Sequence, residues 1–314
     1  MKQYLSLLED VLENGADRDD RTLTGTRSVF GRQMRFNMAS GFPAMTTKKL
    51  AWRSVVAELL WFLRGTGDVK ELQKLECHIW DGNANAQYWK PRAKFDGDVG
   101  RIYGVQWRHW QGADGQEVDQ IERLIKTIKE KPTARRHIVT AWNPAELDYD
   151  VQEKPLVALC PCHVFFQFFV ANNSISLQMY QRSCDMFLGV PFNIASYSLL
   201  LHLIAAITKL EPGEFVHVLG DTHIYKNHID QVKEQLGRNP YPLSILKLNP
   251  AFSNMETVGD LDAYLAQIFK KADKAREEET DEKETKKKIY ELLDEVASLE
   301  NYQCHPSIKA EMAV

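Results

Sequence analysis

The stretch LCPCHVFFQFFVANNSISLQMYQRSCDMFLGVPFNIASY, residues 159–197, decides the fold of this chain. Its apolar alternation over residues 164–170 predicts a buried strand. An Ala-Asn-Asn turn follows, and residues 174–180 return as the second strand of a hairpin. The hairpin therefore carries Arg182 back toward Cys162, so that a thiol and a cation are expected close together.

A chain break and a long helix follow the hairpin. Gly189-Val190-Pro191 interrupts the strand pattern, and residues 194–210 are apolar nearly all round, which predicts a buried helix. The apolar run at 194–207 contains two serines and a histidine and is too short to span a bilayer. We therefore expect this helix in the core.

Length and composition are those of an ordinary globular protein. The chain has 314 residues, 44% hydrophobic and 26% charged, which predicts one or two domains. A net charge of −4 argues against wholesale electrostatic binding to nucleic acid or an anionic membrane. The N-terminal segment is an amphipathic helix without a cleavage site, so no secretion signal is expected. Five cysteines without framework spacing favour a reducing compartment, and the cytoplasm is the expected location.

Two charged features stand out before the hairpin. Glu58 lies inside the apolar pattern of a predicted helix over residues 51–63, where a glutamate is usually at the helix margin or paired. Arg135 and Arg136 precede a predicted strand over 137–142, and such a pair is more often a solvated edge than a site. Neighbouring side chains of a strand point to opposite faces, so at least one arginine is free to reach elsewhere.

The chain after the long helix has two parts of different character. A predicted strand over residues 215–219 runs into GDTHIYKNH, residues 220–228, which places several hydrogen-bonding side chains at one strand end. From residue 251 two amphipathic helical patterns flank the mixed charges of residues 270–288. We expect a helical hairpin with a charged tip over 251–301, and a solvated face is its commonest role.

Cys162 is the candidate nucleophile. A thiolate is the reactive form, and cations at Arg182 and Arg21 are expected to lower the pKa of this thiol. A buried structural cysteine is the default alternative on an apolar strand. A zinc site at Cys160-Pro161-Cys162-His163 lacks the second ligand pair that zinc spacing requires.

A cysteine protease would need a histidine base and an orienting amide, for which His163, His223 and Asn193 are candidates. Its nucleophile would not explain the abundant arginines, whereas the guanidinium fork matches phosphate oxygens. Asn193 places a donor beside an acceptor, which suits the N3–H and O4 edge of uracil better than cytosine.

Seven segments resemble the thymidylate synthase family. They are PCH at 161–163, QRSCDMFLGVPFNIASY at 181–197, GDTHIYKNH at 220–228, DRTLTGT at 20–26, ELLWFLRG at 58–65, YGVQWRHW at 103–110 and HPSIKAEMAV at 305–314. The resemblance covers residues 1–250 and 302–314. It implies an α/β (α+β) fold over 1–314, a single domain with helices around a bent mixed β-sheet, working as a homodimer. It also implies reductive methylation of dUMP to dTMP with 5,10-methylenetetrahydrofolate as co-substrate, giving dihydrofolate, without a metal.

The resemblance also implies roles for individual residues. The implied catalytic residues are Cys162, Glu58, Tyr103, Asn193 and Arg182. The implied dUMP contacts are Arg21, Arg135, Arg136, Gln181, Arg182, Ser183, Asp185, Asn193, His223 and Tyr225, with Arg135 and Arg136 reaching the other subunit's site. The implied folate contacts are Lys48, Ile79, Trp80, Asp185, Gly189 and Val314, with Val314 closing the site against water.

This sequence departs from the family pattern at three places. Cys160 stands where the family usually has a small residue or proline, residues 82–98 differ in length from shorter members, and the helical segment 251–301 replaces the strand expected after Pro250. The alternatives are a dUMP hydroxymethylase, which adds water to the same intermediate, and a non-catalytic nucleotide- or RNA-binding homologue. A dCMP hydroxymethylase fits Asn193 less well.

Overall fold

The computed structural model describes residues 1–20, 23–147 and 154–311. The helices are α1 (Lys2–Asn14), α2 (Trp52–Arg64), α3 (Val69–Gln73), α4 (Asp81–Ala84), α5 (Gly104–Arg108), α6 (Gln120–Glu130), α7 (Gly189–Thr208), α8 (Ile229–Leu236), α9 (Val258–Glu278) and α10 (Glu282–Val296). The strands are β1 (Ala16–Arg18), β2 (Thr26–Asn37), β3 (Trp110–Gln111), β4 (Glu117–Val118), β5 (Ile138–Thr140), β6 (His163–Ala171), β7 (Ser174–Asp185), β8 (Glu211–Tyr225), β9 (Ile245–Leu248) and β10 (Ala297–Glu300).

A six-stranded mixed sheet forms the framework, in the order β1-β2-β8-β7-β6-β5. Strands β7 and β8 are parallel, because α7 connects them across the sheet, and the other pairs are antiparallel. The predicted hairpin is β6–β7, which turns at Asn172 and Asn173 in left-handed conformations. The predicted α/β fold with helices around a mixed sheet is confirmed.

Helix α7 begins five residues before the predicted start at Ile194. Pro191 lies in its first turn, where a missing backbone N–H costs no helical hydrogen bond. With its 20 residues the helix is long and apolar enough to cross a membrane, but 78% of that apolar window is buried inside the protein. It is therefore a core helix, packed between the sheet and α2.

The segment 251–301 contains the predicted helical hairpin, formed by α9 and α10. The expectation that these helices replace a strand was wrong, because the strand is present at β10. It pairs with β9 from Leu248–Ala297 to Ile245–Glu300. The hairpin is thus inserted between two paired strands, and its apolar side joins the single hydrophobic core.

One face of the sheet is covered by the core helices, and the other carries exposed apolar side chains. Phe169 of β6 is 67% exposed and Ile138 of β5 is 47% exposed, and strand pairing puts both on this face. On the same face, Phe165 stacks on Tyr180 with ring centroids 5.9 Å apart. Exposed apolar side chains on one sheet face are typical of an interaction surface.

Candidate active site

Strand pairing places Arg182 beside Cys162. The backbone N–H of Arg182 donates to the carbonyl of Cys162 at 2.8 Å. The guanidinium donates from Nε to the carbonyl of Pro161 and from Nη2 to that of Cys160, both at 2.9 Å. The segment before β6 is therefore fixed by an arginine of the neighbouring strand, and the thiol and the cation are neighbours, as the hairpin predicted.

The pKa of the Cys162 thiol moves in the direction opposite to the expected one. Burial raises this pKa above the ordinary value, and the charge of Arg182 opposes the rise without cancelling it. Asp185 and Cys160 raise it further. The thiol therefore rests in its neutral form, because desolvation outweighs the neighbouring cation. The second expected cation, Arg21, lies outside the described residues.

Tyr103 contacts the nucleophile's backbone from the helical side. The N–H of Cys162 donates to the hydroxyl oxygen of Tyr103 at 2.7 Å. Tyr103 is buried and has a φ of 37°, a conformation that costs an L-residue free energy and is common at functional sites. Gly104 makes this turn possible, because a Cβ there would lie 2.2 Å from the carbonyl oxygen of Phe62. The turn thus presses Tyr103 between α2 and Cys162.

Glu58 is paired with an indole and not with a cation. Trp80 donates its Nε1–H to Oε1 of Glu58 at 2.7 Å, and both side chains are buried. Burial raises the pKa of Glu58 from 4.5 to about 7, and the Trp80 hydrogen bond partly opposes the rise. The rings of Trp80 and Tyr103 are 5.9 Å apart. A buried carboxyl that titrates near neutral pH, and that interacts with the tyrosine bonded to the candidate nucleophile, is suited to general acid–base catalysis.

A chain of buried polar side chains fixes the amide of Asn193. His217 Nε2 lies 2.8 Å from Oε1 of Gln181, and Gln181 donates to Oδ1 of Asn193 at 3.0 Å. Asn193 Nδ2 lies 3.3 Å from Nε2 of His163, whose Nδ1 lies 3.0 Å from the hydroxyl of Tyr197. Burial lowers the pKa of His163 and of His217 to about 3, so both rings are neutral.

Because both histidine rings are neutral, the hydrogen bonds of this network run in one direction. His217 donates to Gln181, Gln181 to Asn193 and Asn193 to His163, so the His163 proton lies on Nδ1. Asn193 keeps one N–H and one lone pair for a ligand. Tyr197 and His217 were absent from the predicted site residues, and His163 was considered only as a protease base and as a zinc ligand. Their available signal was a polar residue at an inward position of an apolar strand or helix.

A second polar corner forms where β7 runs into α7. Asp185 accepts from the backbone N–H groups of Phe187 at 3.0 Å and Leu188 at 3.1 Å, just before Gly189 starts the helix. The ammonium of Lys48 donates to the carbonyl of Phe187 and lies 3.5 Å from the centroid of its ring. Burial lowers the pKa of Lys48 to about 8, and Asp185 opposes this shift. Three predicted folate contacts, Lys48, Asp185 and Gly189, therefore meet at one helix start.

The end of β8 lies beside the end of β7. Ser183 pairs with Asp221 across the parallel ladder, and Nδ1 of His223 lies 3.2 Å from Oδ1 of Asp221. Asp221 also forms an ion pair with Arg18 at 2.6 Å. The rings of His223 and Tyr225 are 5.2 Å apart. These side chains are therefore delivered to the same edge of the sheet as Arg182.

Among the described residues, Arg135, Arg136 and Ile79 are not part of this cluster within one chain. Arg135 and Arg136 are exposed ahead of edge strand β5, and Ile79 is 38% exposed next to buried Trp80. Val314, like Arg21, lies outside the described residues. The C-terminal segment nevertheless reaches this side of the molecule.

Several hydrogen bonds hold that segment, and two of them fix its path past the site. The N–H of His305 donates to the carbonyl of Thr46, two residues before Lys48. The carbonyl of Glu311 lies 2.6 Å from Nε2 of His228. In the described ranges, histidine, cysteine, aspartate and glutamate side chains nowhere form a group of three that would hold a metal ion.

Comparison with known families adds one finding. The family model described as thymidylate synthase matches residues 2–267 of the 314-residue chain. The match extends 17 residues past position 250, where the motif resemblance stops, and ends within α9. Residues 302–314, which carry the last of the resembling motifs, lie beyond it.

Proposed function

The chain belongs to the thymidylate synthase family of folate-dependent one-carbon methyltransferases, and on that premise we propose that it converts dUMP to dTMP. The co-substrate is 5,10-methylenetetrahydrofolate, which supplies the one-carbon unit and the hydride and leaves as dihydrofolate. The observation that carries the proposal is the position of Cys162 between the guanidinium of Arg182 and the hydroxyl of Tyr103, with Glu58 hydrogen-bonded to Trp80 beyond.

Cys162 attacks C6 of the uracil as a thiolate, which makes C5 nucleophilic. The resting thiol is neutral, so its proton passes to water when substrate binds, and the charge of Arg182 favours that ionisation. Tyr103 is placed to help remove the C5 proton, because its hydroxyl already lies against the backbone of Cys162. Glu58, half-protonated near neutral pH, exchanges protons with O4 and the folate side through water.

The uracil edge is read by Asn193. Its orientation is fixed by Gln181 and His163, so its free N–H and lone pair face a ligand without rearrangement. A fixed donor beside a fixed acceptor accepts the N3–H of uracil and donates to O4, and disfavours cytosine. Asp185 lies close enough to the Cys162 thiol to affect its pKa and borders the base as well as the pterin.

Arginines and hydroxyls hold the phosphate and the sugar. Arg182, Ser183 and Arg21 supply donors from one subunit. His223 and Tyr225, at the adjoining end of β8, reach the sugar hydroxyl. The Asp221 carboxylate orients the imidazole of His223 from 3.2 Å.

The partner subunit completes the phosphate site in a homodimer. Arg135 and Arg136 are exposed and lie far along the chain from the other phosphate residues. They stand next to the apolar sheet face that carries Ile138 and Phe169. Burying that face against a second copy brings both arginines toward the other subunit, which explains the exposed pair and the exposed apolar side chains together.

The folate binds over α2 and the start of α7. Lys48, Trp80, Ile79, Asp185 and Gly189 border it, and the partly exposed Ile79 offers apolar surface beside the indole. The contacts of His228 and Thr46 direct the C-terminal segment to this side, where Val314 closes the site. Exclusion of water favours hydride transfer over hydration of the intermediate.

The five cysteines support a reducing compartment. All five are free thiols, and Cys77 and Cys184 are buried. We place the enzyme in the cytoplasm on this ground.

One assay tests the reaction. The protein is incubated with dUMP and 5,10-methylenetetrahydrofolate, dihydrofolate absorbance is followed, and the nucleotide product is identified by mass. We expect dTMP and dihydrofolate in equal amounts. Formation of 5-hydroxymethyl-dUMP without dihydrofolate would assign the hydroxymethylase reaction, and dUMP binding without conversion would favour a non-catalytic homologue.

A further inference from the structure

Helix α9 is bonded to the chain segment that leads to Trp80. Near its C-terminal end, Arg276 donates from Nη2 to the carbonyl of Gln73 at 2.7 Å and from Nε to that of Lys74 at 3.3 Å. The same guanidinium forms an ion pair with Glu76. One turn earlier, Asp273 pairs with Lys74 at 3.2 Å. These bonds tie α9 to the last turn of α3 and the residues after it.

A side chain of α9 stabilises the end of α3 and the residues that follow it. Gln73 ends α3 and Lys74 is its C-cap. The N–H of Glu76 donates to the carbonyl of Gln73 at 3.0 Å, and Arg276 supplies a further donor to that carbonyl and one to the carbonyl of Lys74. Glu76 has a φ of 55°, a left-handed conformation that is unfavourable for a non-glycine residue. Only three residues separate Glu76 from Trp80. Arg276 therefore stabilises both the helix end and the strained residue that set the path of the chain into Trp80.

Near its N-terminal end, α9 is joined through Arg108, which also pairs with Asp119, to the helix that carries Glu58, the other partner of the Glu58–Trp80 hydrogen bond. Asp262 accepts from Arg108 at 2.9 and 3.0 Å in a bidentate pair. Arg108 is buried and also donates to the carbonyl of Leu63, near the end of the helix that carries Glu58. Asp262 and Arg276 lie 14 residues apart, about 21 Å along the helix.

We infer that α9 positions the proposed acid–base residue Glu58 and its hydrogen-bond donor Trp80. Arg276 and Asp262, near opposite ends of this helix, hold the segments that carry Trp80 and Glu58 at hydrogen-bonding distance from each other. The inference rests on the proposed function for its catalytic consequence and on the contacts alone for its structural one. It assigns a role to a segment whose expected role was a solvated face.

The groups around Glu58 define a readout that general stability does not move. The ionisable neighbours that interact with its carboxyl are Cys77, Tyr103 and Tyr197, and burial raises the pKa of each. All three are therefore neutral near pH 7. The Trp80 hydrogen bond is the interaction that lowers the pKa of Glu58, so loosening Trp80 must raise it.

The test compares Arg276→Ala with Lys274→Ala, an exposed residue of the same helix whose ion pair with Glu278 stays within the hairpin. We expect Arg276→Ala to lower kcat about 10-fold to 100-fold while the Kd for dUMP stays within about 2-fold. The limb of the pH–kcat profile set by Glu58 should move to higher pH. Lys274→Ala should change neither quantity.

A second measurement does not need turnover. The infrared carbonyl band of protonated Glu58, identified by its loss in Glu58→Gln, is titrated in both variants, and its midpoint should rise only in Arg276→Ala. An unchanged midpoint overturns the inference even if kcat falls. Wild-type protein without turnover overturns the proposed function and leaves this titration valid. If Arg276→Ala does not fold, Arg276→Lys, which keeps the charge and loses the fork, takes its place under the same criteria.

Discussion

The two halves of the site are built differently. The strand-built half holds Cys162, Arg182, Gln181, Ser183 and His223 through the register of β6, β7 and β8. The helix-built half holds Glu58, Trp80, Tyr103 and Lys48 through side-chain contacts between segments far apart in the chain. The backbone hydrogen bonds of paired strands fix the first half, whereas the second half depends on side-chain packing and on contacts with α9. The strand half carries the thiol and the guanidinium, and the helix half carries the buried carboxyl, the phenol and the ammonium of Lys48.

The largest effect expected in either half is loss of the nucleophile. Cys162→Ala should lower turnover by about 10⁴-fold or more, because no other group can attack C6, while dUMP binding stays within about 3-fold. Turnover and the Kd for dUMP are measured on the same preparation. Cys160→Ala, two residues away, is the matched control and should keep turnover. Wild-type turnover in Cys162→Ala would remove the thiol from the mechanism.

The helix half should show its buried acid in the pH dependence of stability. The folded-state pKa of Glu58 is raised from 4.5 to about 7, so its carboxyl binds a proton more tightly folded than unfolded. The stabilising contribution of this proton is complete below pH 4.5 and is lost as pH rises to 7, by about 3 kcal/mol.

Glu58→Gln has no such loss, so its free energy of unfolding relative to wild type should rise by that amount between pH 4.5 and 8. Urea denaturation at several pH values measures the change. The exposed acid Glu291→Gln serves as control and should show no comparable trend. A parallel pH dependence for Glu58→Gln and wild type would mean that the carboxyl is solvated.

The junction of the two halves is the amide of Asn193. Asn193→Asp should shift the ratio of kcat/KM values toward dCMP by about 10-fold or more, because a protonated carboxyl donates to N3 of cytosine and accepts from its amino group. Competition between dUMP and dCMP in one reaction gives the ratio. Unchanged discrimination would show that other groups read the base edge.

The smallest expected effect lies at the far end of the hairpin. Asp281 caps α10 by accepting from the N–H of Lys283, and Asp281→Ala should lower the free energy of unfolding by about 1 kcal/mol. Turnover should not change, because Asp281 lies at the tip of the hairpin, at the opposite end of α10 from the ion pair that joins Asp294 to Arg53 of α2. Glu282→Ala, one residue on, is the control in the same urea titration. A loss of turnover would extend the positioning role to the whole hairpin.

The strand half was largely predictable from the sequence, and the helix half was not. Alternation and an Asn-Asn turn predict that β7 returns Arg182 to Cys162, because period-two patterns and turn chemistry are local. The Trp80–Glu58 bond and the strained φ of Tyr103 depend on contacts across the fold, which no local pattern contains. The predicted shift of the Cys162 thiol pKa had the wrong direction, because neighbouring cations in the sequence do not reveal how deeply the thiol is buried. Strand β10 was missed because an insertion separates it from its partner.

The pairing of Leu248 with Ala297 has a wider consequence. Both ends of the 249–296 excursion meet within about 5 Å, across adjacent strands. A module anchored in this way can be gained, lost or exchanged during evolution without rethreading the catalytic fold. Because the segment is anchored at its base by this strand pairing, residues 279–281, at the tip between the two helices, are a suitable place to graft a foreign peptide or a ligand-responsive segment.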